Sequence, residues 1–269
     1  MPEGDTVWRA ARMLDRALSG QVLSQTDFRV PQLATTDLSG GTVTSTVSRG
    51  KHLLTRIRVD EGEARGEWSL HTHLKMEGAW RTYTPGERWR RPSHQARVVL
   101  ETPTVQAVGF SLGIVELVPG SAESGIVSHL GPDLLGPDWD EDEAVRRLTA
   151  APEVPVHQAI LDQTNLAGIG NMYAAELCFT HGVHPSAPVG AVSDLRRLVR
   201  RAQLMLDANK ERAEQSTTGD LRRGRRTWVY RQDGKGCRRC GTRVAVSMLG
   251  PAGRERAAYW CPSCQPAPD

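Results

Sequence analysis

No run of about 18 apolar residues, the shortest that spans a bilayer as a helix, occurs in the chain, and Met1-Pro2-Glu3-Gly4-Asp5 has neither the basic nor the apolar region of a secretory signal. A soluble, cytosolic protein with no membrane partner is therefore expected. Internal repeats and low-complexity tracts are also missing, which excludes solenoids and collagen, and 39% hydrophobic residues over 269 positions are enough to bury a core, which excludes disorder. Cysteine is scarce, and four of the five lie within the last 33 residues. In a reducing compartment such a cluster points to metal ligation rather than to a disulfide framework. Lysine is rarer still: four, against thirty arginines.

The formal net charge of +3 conceals an asymmetry. Residues 196–256 carry 17 Lys and Arg against 6 Asp and Glu, a local balance of +11, which leaves the remainder at −8. A basic C-terminal part on an acidic body fits a polyanion partner; a solvated helix face is the blander alternative.

Val7, Ala11, Leu14 and Leu18 recur at helical spacing, with Asp5 and Thr6 as capping candidates and Gly20 as the stop, so Pro2 and Glu3 fall just ahead of a helix. From about 21 to 118 the pattern changes to short alternating runs such as 42–47, 52–59, 97–100 and 113–118, separated by Gly, Pro and Asp turns, as in an antiparallel sandwich. Beyond a Gly, Pro, Asp and Ser-rich stretch the chain reads as helical over 140–149, 156–163, 171–181 and 193–209, the last with Leu195, Leu198, Val199, Ala202 and Leu206 on one face. Residues 214–235 are arginine-rich without apolar periodicity and read as a mobile loop. The expected class is α+β: a β-sandwich domain led by a helix (1–120), a linker (121–138), a helical domain (139–235) and a cysteine-bounded unit (236–269).

Cys237-x2-Cys240 and Cys261-x2-Cys264, twenty residues apart, supply four thiolates for one tetrahedral zinc ion with no position left for water, so a structural zinc ribbon is expected. Cys178 lies between Leu177 and Phe179 and reads as core. Pro2, freed by removal of Met1, would be a secondary amine with a pKa of about 8 against about 10.4 for lysine, able to attack an aldehyde-like carbon and form an iminium. Glu3 beside it could move protons. Leu161-Asp162-Gln163, followed by Gly168-Ile169-Gly170-Asn171, joins two helices through a glycine-bearing double turn whose free N–H groups could face a phosphate, or which could be an ordinary connection. His71 and His73 share a strand face but are too few for zinc.

Met1-Pro2-Glu3-Gly4, Arg49-Gly50-Lys51-His52-Leu53, the 161–171 segment and the cysteine ribbon, in this order, resemble DNA glycosylases of the formamidopyrimidine glycosylase and endonuclease VIII superfamily over essentially the whole chain. The resemblance implies a helix-two-turn-helix in the helical domain. It implies Pro2 as the nucleophile at C1′ of a damaged nucleotide, Glu3 as proton donor and acceptor, and Lys51 as the phosphate contact that assists elimination. Asn171 and Arg256 would hold the DNA backbone beside the lesion, Arg256 being preferred to Arg254 on spacing, and Met76 would fill the gap left by the flipped nucleotide. As a residue type Met76 could equally fill a core gap.

The chain departs from the commoner pattern at Asp5-Thr6, where Pro-Glu is usual, and residues 105–113 lack the Arg-x-Phe wedge of the 8-oxoguanine branch. With Gly4 in place of leucine, this points to the endonuclease VIII branch and oxidised pyrimidines. The expectation is a bifunctional DNA glycosylase and abasic-site lyase of base excision repair, acting by β- and δ-elimination, with one structural zinc. It would be a monomer on damaged DNA, associated with the bacterial nucleoid. The rivals are an 8-oxoguanine and formamidopyrimidine glycosylase of the same fold, and a non-catalytic zinc-ribbon protein that binds nucleic acid.

Overall fold

The structure, a computed structural model, describes residues 2–268, so Met1 and Asp269 lie outside the described residues. The chain divides into two compact units, Met1–His129 and Leu130–Asp269.

The first unit opens with α1 (Gly4–Leu18), whose Val7, Ala11, Leu14 and Leu18 are buried in one row. The helix begins earlier than the capping candidates suggested. Glu3 is the extended N-cap residue and makes no capping bond, while Asp5 is buried inside the first turn, where its charge suits the positive end of the helix dipole. Gly20 then turns the chain at φ 78°, in the left-handed region.

Eight strands follow: β1 (Gln25–Phe28), β2 (Thr42–Arg49), β3 (His52–Val59), β4 (Gly66–His73), β5 (Ala79–Tyr83), β6 (Ala96–Glu101), β7 (Gln106–Phe110) and β8 (Ile114–Pro119). They form two four-stranded antiparallel sheets, in the orders β2-β3-β4-β8 and β1-β6-β7-β5. Alternate residues Leu53 and Ile57 of β3, with Leu70, Trp80, Val98 and Leu100, join the row from α1 in one apolar core. Asp15 of α1 ties the helix to β2 by accepting from the Thr46 N–H at 2.9 Å. The other face of β3 and β4 also carries buried residues, Leu54 and His71. A short helix, α2 (Glu123–Val127), is fixed to β3 by the Arg56–Glu123 ion pair at 2.7 Å. Thus the stretch 121–138, expected as linker, contains α2, and the division between the units falls inside it.

The second unit contains α3 (Glu141–Thr149), α4 (Val156–Leu161), α5 (Asn171–His181), α6 (Leu195–Asn209) and a hairpin of β9 (Ala245–Leu249) with β10 (Arg256–Trp260). Three helices are shorter than their sequence patterns. Asp140 and Asp194 act as N-caps, accepting from the N–H groups of Glu143 and Arg197, and α4 stops at Leu161 because Asp162 turns its carboxylate onto the Thr164 N–H. α5 is buried on all sides over Met172–Phe179 and runs through the centre of the unit, with Cys178 in its core. The expected apolar face of α6 packs against it.

Candidate functional site

In the first unit the sheet presents its polar residues on turns. β2 and β3 form a hairpin in which Arg49 pairs with His52 across the two-residue turn Gly50-Lys51. Gly50 has φ 56°, a conformation that glycine adopts without strain, and Lys51 is thereby set at the tip of a rigid ladder. Pro2 is half-buried at the head of α1 and Glu3, the next residue, is completely buried.

Met76 sits on the turn after β4. The Gly78 N–H donates to Leu74 O at 2.8 Å, closing the turn so tightly that a Cβ at position 78 would lie 2.3 Å from that oxygen. Held in this way, Met76 is 60% exposed and takes no part in the core. Beside it lies a cleft of about 740 Å³ whose lining includes Arg9, Arg81, Arg91, Met76 and Ser111. Nothing in the sequence pattern marks this cleft, because its arginines come from α1, from β5 and from the loop after β5.

Next to Lys51 the ladder brings histidines together. His52 and His73 pair in register, and the His52 ring lies 5.0 Å from that of His71, 5.2 Å from His73 and 6.0 Å from His129. His52 Nδ1 is 2.8 Å from His71 Nε2, and His71 Nδ1 is 2.9 Å from the Glu116 carboxylate. His73 accepts the Lys75 N–H through Nδ1 at 2.9 Å. Burial, then the neighbouring positive groups, push His52 down to about 4 and His73 to about 3, so both rings are neutral at physiological pH. His71 and His73 do not assemble with other ligands into a metal site among the described residues.

In the second unit a glutamine holds the double turn between α4 and α5. Gln163 Nε2 donates to Leu161 O at 2.8 Å and Ile169 O at 2.9 Å, while its Oε1 accepts from the Gly168 N–H at 3.0 Å. Asn171 follows at the first position of α5, and its Nδ2 donates to Ala257 O at 2.8 Å. Since Ala257 adjoins Arg256 on β10, one amide fixes both predicted backbone-gripping residues relative to each other. Arg256 is exposed, and Arg254 lies in the turn before the strand.

The four cysteines converge: all four Sγ atoms lie within 4.8 Å of one another, with Cys237–Cys264 at 4.0 Å, Cys240–Cys261 at 3.4 Å and Cys240–Cys264 at 3.6 Å. Disulfides at about 2.05 Å are excluded, and a tetrahedron of sulfurs about 2.3 Å from zinc fits these separations. The Arg239 N–H points at Cys237 Sγ at 3.4 Å, as in a metal-binding knuckle, and the Arg239 guanidinium stacks on Phe179 of α5 at 4.5 Å.

Sequence reasoning missed Glu176. This residue is fully buried on α5 and accepts from the N–H groups of Trp228, Val229 and Tyr230 at 2.8, 2.9 and 2.8 Å and from the Thr217 hydroxyl. Burial raises its carboxyl above the usual range, and these four donors pull it back. The available signal was a single acid in the otherwise apolar run of α5. Both ends of 214–235 are anchored as a result: Thr217 and 228–230 on Glu176, and Ser216 on Asn209, which accepts its N–H at 2.8 Å.

Comparison with known proteins gives the same division. Residues 1–111 match the formamidopyrimidine-DNA glycosylase N-terminal domain and residues 130–218 the formamidopyrimidine-DNA glycosylase H2TH domain. The chain is 49% identical to a probable endonuclease 8 2 of Streptomyces coelicolor, with 100% of this chain and 95% of the relative covered. It is 48% identical to the DNA-(apurinic or apyrimidinic site) lyase Nei2 of Mycolicibacterium smegmatis, covering 99% and 100%. Among solved structures, the Lactococcus lactis Fpg in complex with abasic-site DNA shares the fold with a TM-score of 0.78 at 23% identity, covering 98% of this chain and 100% of that one. The chain belongs to the formamidopyrimidine-DNA glycosylase and endonuclease 8 family of DNA repair enzymes.

Proposed function

We propose that the protein is a bifunctional DNA glycosylase and abasic-site lyase of base excision repair, selective for oxidised pyrimidines. The observation that carries this reading is Pro2 directly ahead of the completely buried Glu3 at the head of α1, in a chain nearly half identical to an abasic-site lyase over its full length. The Pro2 amine attacks C1′ and expels the base, with Glu3 handling the protons. The resulting iminium acidifies the C2′ proton, so the 3′ phosphate leaves by β-elimination, and the 5′ phosphate by δ-elimination. Lys51 neutralises phosphate as a compact ammonium, and Asn171 and Arg256 hold the backbone. A base cannot be reached inside the stack, so the nucleotide is flipped and exposed Met76 takes its place. The preference for pyrimidines rests on residues 105–113, where no Arg-x-Phe wedge is available and Ser111 lines a cleft instead.

Bound zinc at Cys237, Cys240, Cys261 and Cys264 supplies a structural crosslink that orients Arg256. The enzyme acts as a monomer in the bacterial cytoplasm, on the nucleoid. Borohydride reduction on abasic-site DNA is expected to trap a covalent adduct in the wild type and none in Pro2→Gly. No adduct from a wild type with mature Pro2 would leave the non-catalytic zinc-ribbon reading. A panel of thymine glycol, dihydrouracil and 8-oxoguanine duplexes decides the substrate class, and preferential release of 8-oxoguanine would favour the rival branch.

A further inference from the structure

The histidines beside Lys51 are linked into a directional chain, and chemistry fixes its direction. Glu116 is a carboxylate and half-exposed, so His71 must present Nδ1–H to it. His71 Nε2 therefore either accepts from His52 Nδ1–H, with both rings neutral, or, when the chain holds one more proton, donates to His52 Nδ1. The second state places a proton on His52 Nε2, the ring's other nitrogen. An added proton on His52 itself meets burial and the surrounding positive groups. Carried as charge on His71, it faces Glu116 instead.

We propose that Glu116, His71 and His52 form a proton relay for the phosphate held by Lys51, with His52 the catalytic acid and His71 and Glu116 positioning residues behind it. The proposal rests on the lyase reading above. As the C3′–O bond breaks, its electron pair stays on the phosphate oxygen, which takes the proton from His52 Nε2. In the same step His52 Nδ1 receives the proton carried at His71 Nε2, so that no imidazolate forms, and His71 keeps Nδ1–H on Glu116. Both rings end neutral, and the relay reloads from water.

The groups that face His52 agree with an anion as the occupant. From β4 and the turn after it come His71, His73 and Lys75, and from the β2–β3 turn and β2 come Lys51 and the register partner Arg49. His129 approaches from the segment after α2. Glu116 on β8 is the one acid in this group, and it lies one ring removed from His52, behind His71. A phosphate seated among these groups makes the extra proton on the relay easier to hold, so proton uptake accompanies DNA binding.

The test follows elimination on DNA with a preformed abasic site in single turnover as a function of pH. The protonated relay is the active form, so the wild-type rate falls on an alkaline limb. Glu116→Gln removes the carboxylate bonded to His71 Nδ1 and is expected to move this limb to lower pH, since an adjacent opposite charge favours the protonated ring. Glu116→Asp restores its position, and His71→Asn abolishes it with a loss of roughly a hundredfold at neutral pH, the lower end of what general acids contribute. NMR titration of the His71 ring in the free protein provides a second reading, with the inflection moving down in Glu116→Gln. A limb that superimposes on the wild type in Glu116→Gln overturns the relay, most clearly if the His71 inflection has moved. A wild type that gives no borohydride-trapped adduct overturns the lyase reading instead.

Discussion

The two units hold their polar residues still by opposite means. In the first, backbone ladders do the work: Lys51 and Met76 ride on turns closed by main-chain hydrogen bonds, and the exposed Met76 side chain takes no part in the core. In the second, buried side chains hold the backbone. Gln163 braces the double turn, Glu176 gathers four donors, Asn209 ties Ser216, and the cysteines gather the β9–β10 hairpin. A ladder tolerates side-chain substitution, whereas a loop built around one buried amide or carboxylate does not. Substitutions on the exposed turns of the first unit should therefore damage function without stability, and those at the buried supports of the second both together.

The largest effect is expected at the cysteines. Metal binding to such a set contributes on the order of 10 kcal/mol in isolated zinc fingers, so chelation should release the 236–265 segment and unfix Arg256. Limited proteolysis should cut near the β9–β10 hairpin after chelation, while the first unit remains intact. An uncut hairpin in chelator would mean that packing of Arg239 on Phe179 suffices to hold it.

Glu176→Gln comes next. The amide presents N–H groups to two of the four donors, leaving them buried and unpaired, at about 1–3 kcal/mol for each. A loss of about 3 kcal/mol is expected, read by denaturant titration, together with faster hydrogen exchange at Trp228, Val229 and Tyr230. A comparable loss from Met76→Ala would break the contrast between the units, since that side chain stands exposed on its turn.

What could be read in the sequence follows the same contrast. Periodicity reports one element at a time, and it located α1, α5, α6, β2 and β3, while Cys-x2-Cys spacing located the ribbon. Caps escaped it: Asp140, Asp162 and Asp194 fit a helical pattern by position and leave it only because their carboxylates take backbone N–H groups. Contacts distant in the chain escaped it too. Glu176 meets partners 41 to 54 residues away, and His52, His71, Glu116 and His129 come from four separate segments. Pro2, Lys51, Asn171 and Arg256 could be put forward as site residues because they stand in short motifs. Their supports could not, because a support is defined by the element packed against it.

Acid sharpens the comparison at a smaller scale. His157 is buried on α4, neither ring nitrogen has a protein partner, and burial lowers it to about 4 from an unfolded value near 6.5. A histidine with a depressed folded pKa is kept neutral by the fold, so its contribution is complete above pH 6.5 and is lost as pH falls from 6.5 toward 4. Between pH 7 and pH 5 this amounts to about 2 kcal/mol. His157→Leu should flatten that part of the stability curve in thermal melts. His52 and His73 are lowered as far and titrate in the same direction in the first unit, so His157→Leu should remove only its own share of the slope, and a flat curve in that variant would mean that the two rings nearer solvent contribute nothing.

The smallest expected effect on stability is at Met76, and it is the most direct way to break the contrast. Exposed on a turn that Gly78 and Leu74 close through the backbone, its side chain contributes no burial that folding depends on. Met76→Ala should change stability by no more than about 0.5 kcal/mol, the range of surface substitutions. The same change removes the group proposed to fill the space of a flipped nucleotide, so the cost of unstacking is no longer offset. Single-turnover excision from duplex DNA should therefore slow by roughly tenfold or more, since unstacking costs a few kcal/mol, while elimination at a single-stranded abasic site should be nearly unaffected. Equal slowing on both substrates would place Met76 in binding the strand rather than in holding open the stack, and the neighbouring cleft with Arg9, Arg81 and Arg91 would then be the better candidate for stabilising the opened duplex.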